Sequence, residues 1–235
     1  GLPRQSLVTI EKTVDEVVNF RPDRITLLKY CHAPDVRRHM KLIKEDELPS
    51  NLSEMFVYIV QRLLDSGYIW VGLDHFALPS DSLAEAVKNK SVGRTFNGFT
   101  PGRTRDMIGL GPTTTGAFGS TYCQAEYELP QYYKSIDNGE FPIFRGYTLS
   151  EDDLKRREVI FSLMCNQEAE VSDYFSQELE VLSKRPELVT IEGGRLTVTT
   201  YGRVLLRSIC KVFDTKDVKP EHMKIAQKSI IRRVA

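Results

Sequence analysis

The fold is decided by residues 51–79, which read Asn-Leu-Ser-Glu-Met-Phe-Val-Tyr-Ile-Val-Gln-Arg-Leu-Leu-Asp-Ser-Gly-Tyr-Ile-Trp-Val-Gly-Leu-Asp-His-Phe-Ala-Leu-Pro. Apolar side chains recur at every third or fourth position in the first half, which predicts an amphipathic helix from Ser53 to Ser66. Gly67 ends this helix. The apolar run from Tyr68 to Leu73 then predicts a buried strand.

A predicted helix followed by a predicted strand also precedes this stretch. Apolar positions between Ser6 and Asn19 predict a helix, and the run from Ile25 to Leu28 predicts a short buried strand. Strand, helix and strand in succession favour parallel pairing with a right-handed crossover, and such sheets bind ligands at the carboxyl ends of their strands. Those ends are polar here, at residues 29–32 and at Asp74-His75. Because the first helix has no strand before it, we expect the alternating pattern to have begun upstream.

The adjacent pair Asp74-His75 has two interpretations. It can be an acid–base element after a strand, or it can be a capping aspartate next to a packed histidine. Side chains of adjacent residues in an extended segment point to opposite faces, and no serine-elbow or cysteine motif completes a triad. The structural interpretation is therefore favoured. Further along, Asp81 is expected to begin a helix that ends near Asn89.

The stretch from Asn97 to Gly119 holds six of the fifteen glycines in the chain, with much threonine among them. Glycine at this density destabilises ordinary helices and strands. The stretch is therefore either a long surface loop or a backbone that lines a ligand. It is not a P-loop, because no Gly-Lys-Ser/Thr follows its Gly-Leu-Gly, and it does not fit G-x-G-x-x-G.

The rest of the chain is predicted to be mainly helical. Capping-box patterns mark two helix starts, Asn51 with Glu54 and Ser150 with Asp153. The predicted elements after the glycine-rich stretch are helices at 127–138, 150–166, 171–184 and 201–213, with a two-glycine hairpin at 188–199. Helix, helix, hairpin and helix resemble a winged-helix arrangement. DNA binding is therefore kept as a weak alternative, since fold analogy alone is a poor guide to function.

Composition is that of an ordinary globular protein, with 235 residues of which 41% are hydrophobic and 27% are charged. Thirty-two basic and thirty-two acidic residues cancel, which argues against nucleic-acid or membrane partners. The basic excess in residues 211–235 is interpreted as a solvated helix face. Neither the four cysteines nor the four histidines have metal-site spacing. No signal-peptide pattern opens the chain, and this favours a cytoplasmic location.

Several segments, taken in chain order, resemble the C-terminal half of the oxygen-independent coproporphyrinogen III oxidases, a radical S-adenosylmethionine (SAM) family of haem biosynthesis. The matching segments lie at residues 1–5, 22–24, 30–34, 43–49, 66–68, 72–79, 96–100, 106–111, 132–133, 145–146 and 201–203. The most specific is Asp-His-Phe-Ala at 74–77. The haem-chaperone branch of the family resembles Ile-Ser-Asn-Phe-Ala there, so the oxidase branch is favoured.

This resemblance implies an α/β fold, with an incomplete radical-SAM (β/α) barrel segment at 1–145 and a mainly helical, winged-helix-like domain at 146–235. In the family, a [4Fe-4S] cluster and SAM support the oxidative decarboxylation of coproporphyrinogen III to protoporphyrinogen IX. The cluster cysteines of the family precede the segment at which this chain begins. We therefore expect a C-terminal fragment that lacks cluster and SAM and is inactive alone. The alternative is a haem or porphyrin carrier without catalysis.

Two cofactor contacts are carried over by the resemblance. Cys31 occupies the position of an alanine that contacts a second SAM in the family. Thr115 aligns with an isoleucine that contacts the first SAM. Both residue types differ from the family pattern, so contacts through small side chains or backbone are expected, and no catalytic residue is assigned. An incomplete barrel exposes an edge and apolar surface, which predicts self-association.

Overall fold

A computed structural model of the chain describes residues 1–104 and 106–215. The chain divides into two compact units, one from Gly1 to Lys90 and one that begins at Ser91. The predicted boundary between residues 145 and 146 concerns the architecture of the family and stays a prediction. Most of the basic segment 211–235 lies outside the described residues.

The first unit is a small antiparallel sheet with helices. Its elements are α1 (Leu7–Phe20), β1 (Arg24–Thr26), short 3₁₀ helices at Arg38–Leu42 and Glu45–Glu47, α2 (Leu52–Asp65), β2 (Ile69–Gly72), β3 (His75–Ala77) and α3 (Ser82–Lys88). These bounds confirm the predicted helices and the two predicted strands of this part of the chain to within a few residues.

The predicted parallel pairing is wrong. β3 lies between β1 and β2 and pairs antiparallel with both. β1 and β2 therefore run in the same direction but are not neighbours. The connection from β2 to β3 is only two residues long, which suits an antiparallel hairpin and not a crossover. Among the described residues no closed barrel is present.

The core of the first unit lies between this sheet and its helices. Leu63, Val71 and Phe76 are at most 1% exposed, and the Trp70 ring stacks on Phe76 with centroids 5.8 Å apart. The predicted capping box of α2 is wrong in detail. The Asn51 side chain makes no capping bond to the backbone, because its amide donates to the Glu54 carboxylate at 2.9 Å instead.

The second unit contains three further sheets. Its elements are β4 (Gly93–Thr95), β5 (Gly98–Thr100), β6 (Thr115–Phe118), β7 (Thr121–Ala125), α4 (Leu129–Asp137), β8 (Ile143–Thr148), α5 (Glu151–Asn166), β9 (Glu168–Glu170), a 3₁₀ helix at Asp173–Phe175, α6 (Ser176–Ser183), β10 (Val189–Glu192), β11 (Arg195–Val198), α7 (Thr200–Val204) and α8 (Leu206–Val212). β4 pairs with β5, β6-β7-β8 form one antiparallel sheet, and β10-β11-β9 form another.

Three details of this unit correct the prediction. The glycine-rich stretch contains β5 and β6, although its glycine content predicted neither strand. The helix predicted at 171–184 begins only at Ser176, because the 3₁₀ turn Asp173–Phe175 precedes it. The helix predicted at 201–213 is broken at Leu205. The capping box of α5 is confirmed, since the Ser150 hydroxyl accepts from the Asp153 backbone N–H.

Candidate functional site

A left-handed turn shapes the end of β2 in the first unit. Leu73 has φ 46°, a conformation that residues other than glycine rarely adopt. The buried Trp70 indole Nε1 donates to the Leu73 carbonyl at 2.9 Å and holds the turn. The next residue, Asp74, accepts through its carbonyl from the Leu27 N–H at 2.8 Å. This bond ties the turn to the chain that leaves β1.

The turn brings together two side chains that the sequence predicted would point apart. The Asp74 carboxylate Oδ1 lies 2.7 Å from His75 Nδ1. The prediction was wrong because it assumed extended backbone, whereas the positive φ of Leu73 turns the chain just before the pair. The Asp74 side chain is 15% exposed and the His75 side chain 18%. The pair is thus mostly shielded from water and still reachable.

Cys31 lies in the polar segment that follows β1. Its side chain is exposed. On either side of it, the Tyr30 hydroxyl and His32 Nδ1 are 3.4 Å apart, with their rings 6.1 Å apart between centroids. The segment after β1 and the turn after β2 thus place tyrosine, thiol, carboxylate and imidazole groups in the first unit, at the strand ends where the sequence predicted ligand contacts.

Close backbone contacts account for part of the glycine content in the second unit. Met107 and Ala117 exchange two backbone hydrogen bonds, at 2.7 and 2.9 Å. These bonds hold the segment 107–111 against β6. A Cβ on Gly109 would lie 2.5 Å from the Thr114 Cβ and 2.7 Å from the Thr115 carbonyl oxygen. Glycine at this position therefore permits a close approach of two chain segments.

Thr115 stands in a polar row across the sheet β6-β7-β8. It is directly opposite Gln124, which is opposite Arg145, so the three side chains share one face. Gln124 is 5% exposed, and its amide oxygen accepts from Arg145 Nε at 2.8 Å. The sequence did not single out Gln124. Only the register of β7 against its neighbours puts this buried amide next to Thr115.

The cysteines do not fit an iron–sulfur cluster. Burial raises the pKa of Cys165 to about 12 and that of Cys210 to about 12, so both free thiols are protonated at neutral pH. Within residues 1–104 and 106–215, no group of three His, Cys, Asp or Glu side chains could hold a metal ion. No helix in the same ranges is long and apolar enough to cross a membrane.

Comparisons with known proteins show what these two units are similar to. No family model matches the chain. The oxygen-independent coproporphyrinogen III oxidase of Escherichia coli is 34% identical over 230 residues, which are 92% of this chain and 50% of that protein. The protein of the same description from Thermostichus vulcanus is 31% identical, and the match covers 91% of this chain and 71% of that protein.

A solved structure gives the same result. The coproporphyrinogen III oxidase of Escherichia coli, described as a radical SAM enzyme, matches with a TM-score of 0.85 and 34% identity, over 92% of this chain and 53% of that one. The fold is therefore that of part of a radical SAM enzyme. The chain belongs to the oxygen-independent coproporphyrinogen III oxidase family, which confirms the predicted relationship. It spans about half the length of the curated relatives from Escherichia coli and Pseudomonas aeruginosa.

Proposed function

We propose that this chain contributes part of the substrate and SAM site of an anaerobic oxidase that decarboxylates coproporphyrinogen III to protoporphyrinogen IX. The observation that carries the proposal is the agreement of sequence and fold with one enzyme, at 34% identity and a TM-score of 0.85 over 92% of the chain. The cytoplasm is the proposed location.

The proposed contacts are Cys31 to a second SAM and Thr115 to the first SAM. Cys31 is exposed, and its small side chain suits a close backbone approach of the ligand. Thr115 has the Gln124 amide and the Arg145 guanidinium beyond it in the same row. Hydroxyl, amide and guanidinium groups suit the carboxylate and hydroxyl groups of an amino-acid-bearing nucleoside.

The ligands of a [4Fe-4S] cluster would have to come from residues outside the described ones. The described residues offer no set of three metal-binding side chains, and two of the four cysteines are buried thiols. SAM bound at a reduced [4Fe-4S] cluster supplies the radical chemistry of such enzymes. We therefore propose that the 235 residues are inactive alone. Their proposed role is to bind and orient the substrate and SAM.

Several large apolar side chains are exposed, and this supports a partner that covers them. Phe20, Leu42, Leu110 and Phe141 are each at least 85% exposed, and apolar surface marks an interaction site where such side chains form a contiguous patch. We propose that the isolated chain self-associates through such surface. Light scattering tests this, and a monodisperse monomer would contradict it.

Complementation tests the proposed function. A bacterial strain whose own enzymes for this step are deleted is grown without oxygen and without added haem. The complete product of the gene that encodes these residues should restore growth, and the 235-residue chain should not. Failure of the complete product to restore growth, when it is expressed and folded, would remove the oxidase proposal.

Haem titration separates the oxidase from a carrier. An oxidase of this family acts on the porphyrinogen, so the chain should show no tight stoichiometric binding of haem. One-to-one binding with a sharp Soret shift would favour the carrier instead. Iron and sulfide analysis after anaerobic reconstitution provides a parallel check, since a stoichiometric cluster on the chain alone would contradict its proposed dependence on other residues.

A further inference from the structure

Gln124 is a buried amide whose orientation is fixed by a charged neighbour. Its side chain belongs to a residue that is only 5% exposed, and its Oε1 accepts from Arg145 Nε at 2.8 Å. An arginine side chain only donates hydrogen bonds, so the amide must hold its oxygen towards Arg145. The Nε2 atom of Gln124 is therefore turned away from that contact and carries two N–H donors.

The Nε2 end of this amide is open to a ligand. Within residues 1–104 and 106–215, no group accepts a hydrogen bond from Gln124 Nε2. The atom is also not among the fully buried polar atoms that lack a partner in the same ranges, so it reaches the surface. A shielded N–H donor costs free energy unless water or a ligand accepts from it. An acceptor group on a ligand would satisfy Nε2.

Thr115 adds a hydroxyl beside this amide. The two residues are directly opposite each other in the pairing of β6 with β7, which puts their Cβ atoms about 4.5–5.5 Å apart on one face of the sheet. Thr115 is half-buried, and its hydroxyl makes no hydrogen bond to the part of the chain that the structure describes. Two neighbouring donors of this kind can bind the two oxygens of one carboxylate.

The charge behind the amide favours an anionic acceptor. The Arg145 guanidinium is always protonated, and its bond to Oε1 of Gln124 polarises the amide, which strengthens Nε2–H as a donor. Hydrogen bonds to ionised acceptors are the strong ones. SAM carries a carboxylate on its amino-acid part, and coproporphyrinogen III carries propionates. Both proposed ligands therefore offer the group that this row of side chains suits.

We propose that Gln124 is a specificity-determining residue whose amide Nε2 donates a hydrogen bond to a carboxylate of the bound ligand, with the Thr115 hydroxyl as a second donor. This role rests on the proposed function, because SAM and coproporphyrinogen III are the ligands proposed there. It goes further by assigning one ligand group to one donor atom. The carboxylate of SAM and a propionate of the porphyrinogen share this chemistry, and the experiment tells them apart.

The variant Gln124→Glu removes the donor and keeps the contact to Arg145. One carboxylate oxygen can still accept from Arg145 Nε, but the other places a negative charge where Nε2 presented its N–H groups. Gln124→Met is the second variant, because it has a similar length and removes the donor without adding a charge. The matched control is Gln131→Glu, the same change at an exposed position of α4.

The 235-residue chain and its variants are titrated anaerobically with SAM and with coproporphyrinogen III. Each ligand is paired with an analogue that lacks the free carboxylate, namely decarboxylated SAM and the tetramethyl ester of coproporphyrinogen III. Gln124→Glu and Gln124→Met should bind one of the two carboxylate ligands at least about tenfold more weakly, the value of a lost hydrogen bond to a charged group. They should bind the matching analogue no more weakly than the parent does. Gln131→Glu should match the parent throughout.

Each outcome supports or overturns the assignment. The ligand whose affinity falls identifies the carboxylate as that of SAM or as a propionate. If the parent binds a carboxylate ligand and both Gln124 variants bind it equally well, the inference is wrong while the proposed function survives. An equal loss for a ligand and its analogue would show that Gln124 acts on the fold, and it would also overturn the inference. If the parent binds neither SAM nor the porphyrinogen, the proposed function fails and the inference fails with it.

Discussion

Replacement of Gly109 by alanine should destabilise the second unit by a purely steric effect. The added Cβ would lie 2.5 Å from the Thr114 Cβ, 2.7 Å from the Thr115 carbonyl oxygen and 2.8 Å from the Thr114 hydroxyl. Two of these atoms are backbone or directly attached to it, so they cannot move away without disturbing β6. Overpacking of this kind costs about 1–3 kcal/mol.

Gly102→Ala is the matched control. Gly102 belongs to the same stretch, has no positive φ, and would have no atom within 4 Å of an added Cβ. There the loss of backbone freedom in the unfolded chain should stabilise the protein by about 0.4–1 kcal/mol. The two variants should therefore differ by roughly 1.4–4 kcal/mol, the sum of these two ranges.

Thermal unfolding followed by circular dichroism measures this difference. A cost of about 2 kcal/mol lowers the midpoint by roughly 4–8 °C in a chain of this size, and Gly102→Ala should unfold at or above the parent midpoint. Equal midpoints for Gly109→Ala and Gly102→Ala would show that the segment 107–111 does not pack against β6 as described, and the placement of Thr115 would lose its support.

Further predictions concern the thiols and the helix caps. Exposed Cys31 should react with a thiol reagent at once, whereas Cys165 and Cys210 should react only on unfolding, as mass spectrometry of alkylated peptides would show. Burial raises the pKa of both buried thiols from 9.0 to about 12. The two thiols therefore make their full contribution to the free energy of unfolding below pH 9. This contribution falls as the pH rises towards 12, by about 1.4 kcal/mol per pH unit for each thiol. Urea unfolding at several pH values measures this, and a free energy of unfolding that does not decline would contradict it. Ser150→Ala should cost about 1 kcal/mol, because the hydroxyl caps α5. Asn51→Ala should cost clearly less, because that side chain makes no cap bond to α2, and equal losses in urea unfolding would refute this contrast.

The sequence correctly predicted those elements whose structure is determined by residues close together in the chain. The helix from Glu151 to Asn166 begins at Ser150 as its capping box indicated. The hairpin after Val189 turns at Gly193 and Gly194, both with positive φ, as a two-glycine turn requires. These features depend on residues within one or two turns of each other, which a linear pattern records.

The antiparallel pairing of β1, β3 and β2 was not predictable in this way. β3 has only the three residues His75–Ala77, directly after the apolar run of β2, and nothing in its composition separates it from a loop. The insertion of β3 between β1 and β2 depends on the positive φ of Leu73. A leucine gives no local signal for that conformation, so the pairing partner of β1 could not be inferred.

The candidate site was predictable only in its location. The polar strand ends and the glycine-rich stretch drew attention to Cys31 and Thr115. Two side-chain contacts in these regions were not predicted. The Asp74–His75 contact depends on the turn at Leu73. The Gln124–Arg145 bond depends on the register of β7 against β8. Register joins residues far apart in sequence, and a single sequence does not report it.

Anaerobic turnover tests the central claim most directly. The complete product of the gene that encodes these residues is purified without oxygen, reconstituted with iron and sulfide, and incubated with coproporphyrinogen III, SAM and a reductant. Chromatography of the oxidised porphyrins then identifies the product. We predict conversion to the protoporphyrin level, with none for the 235-residue chain under the same conditions. Unchanged coproporphyrin from a complete protein that carries its cluster and consumes SAM would contradict the account.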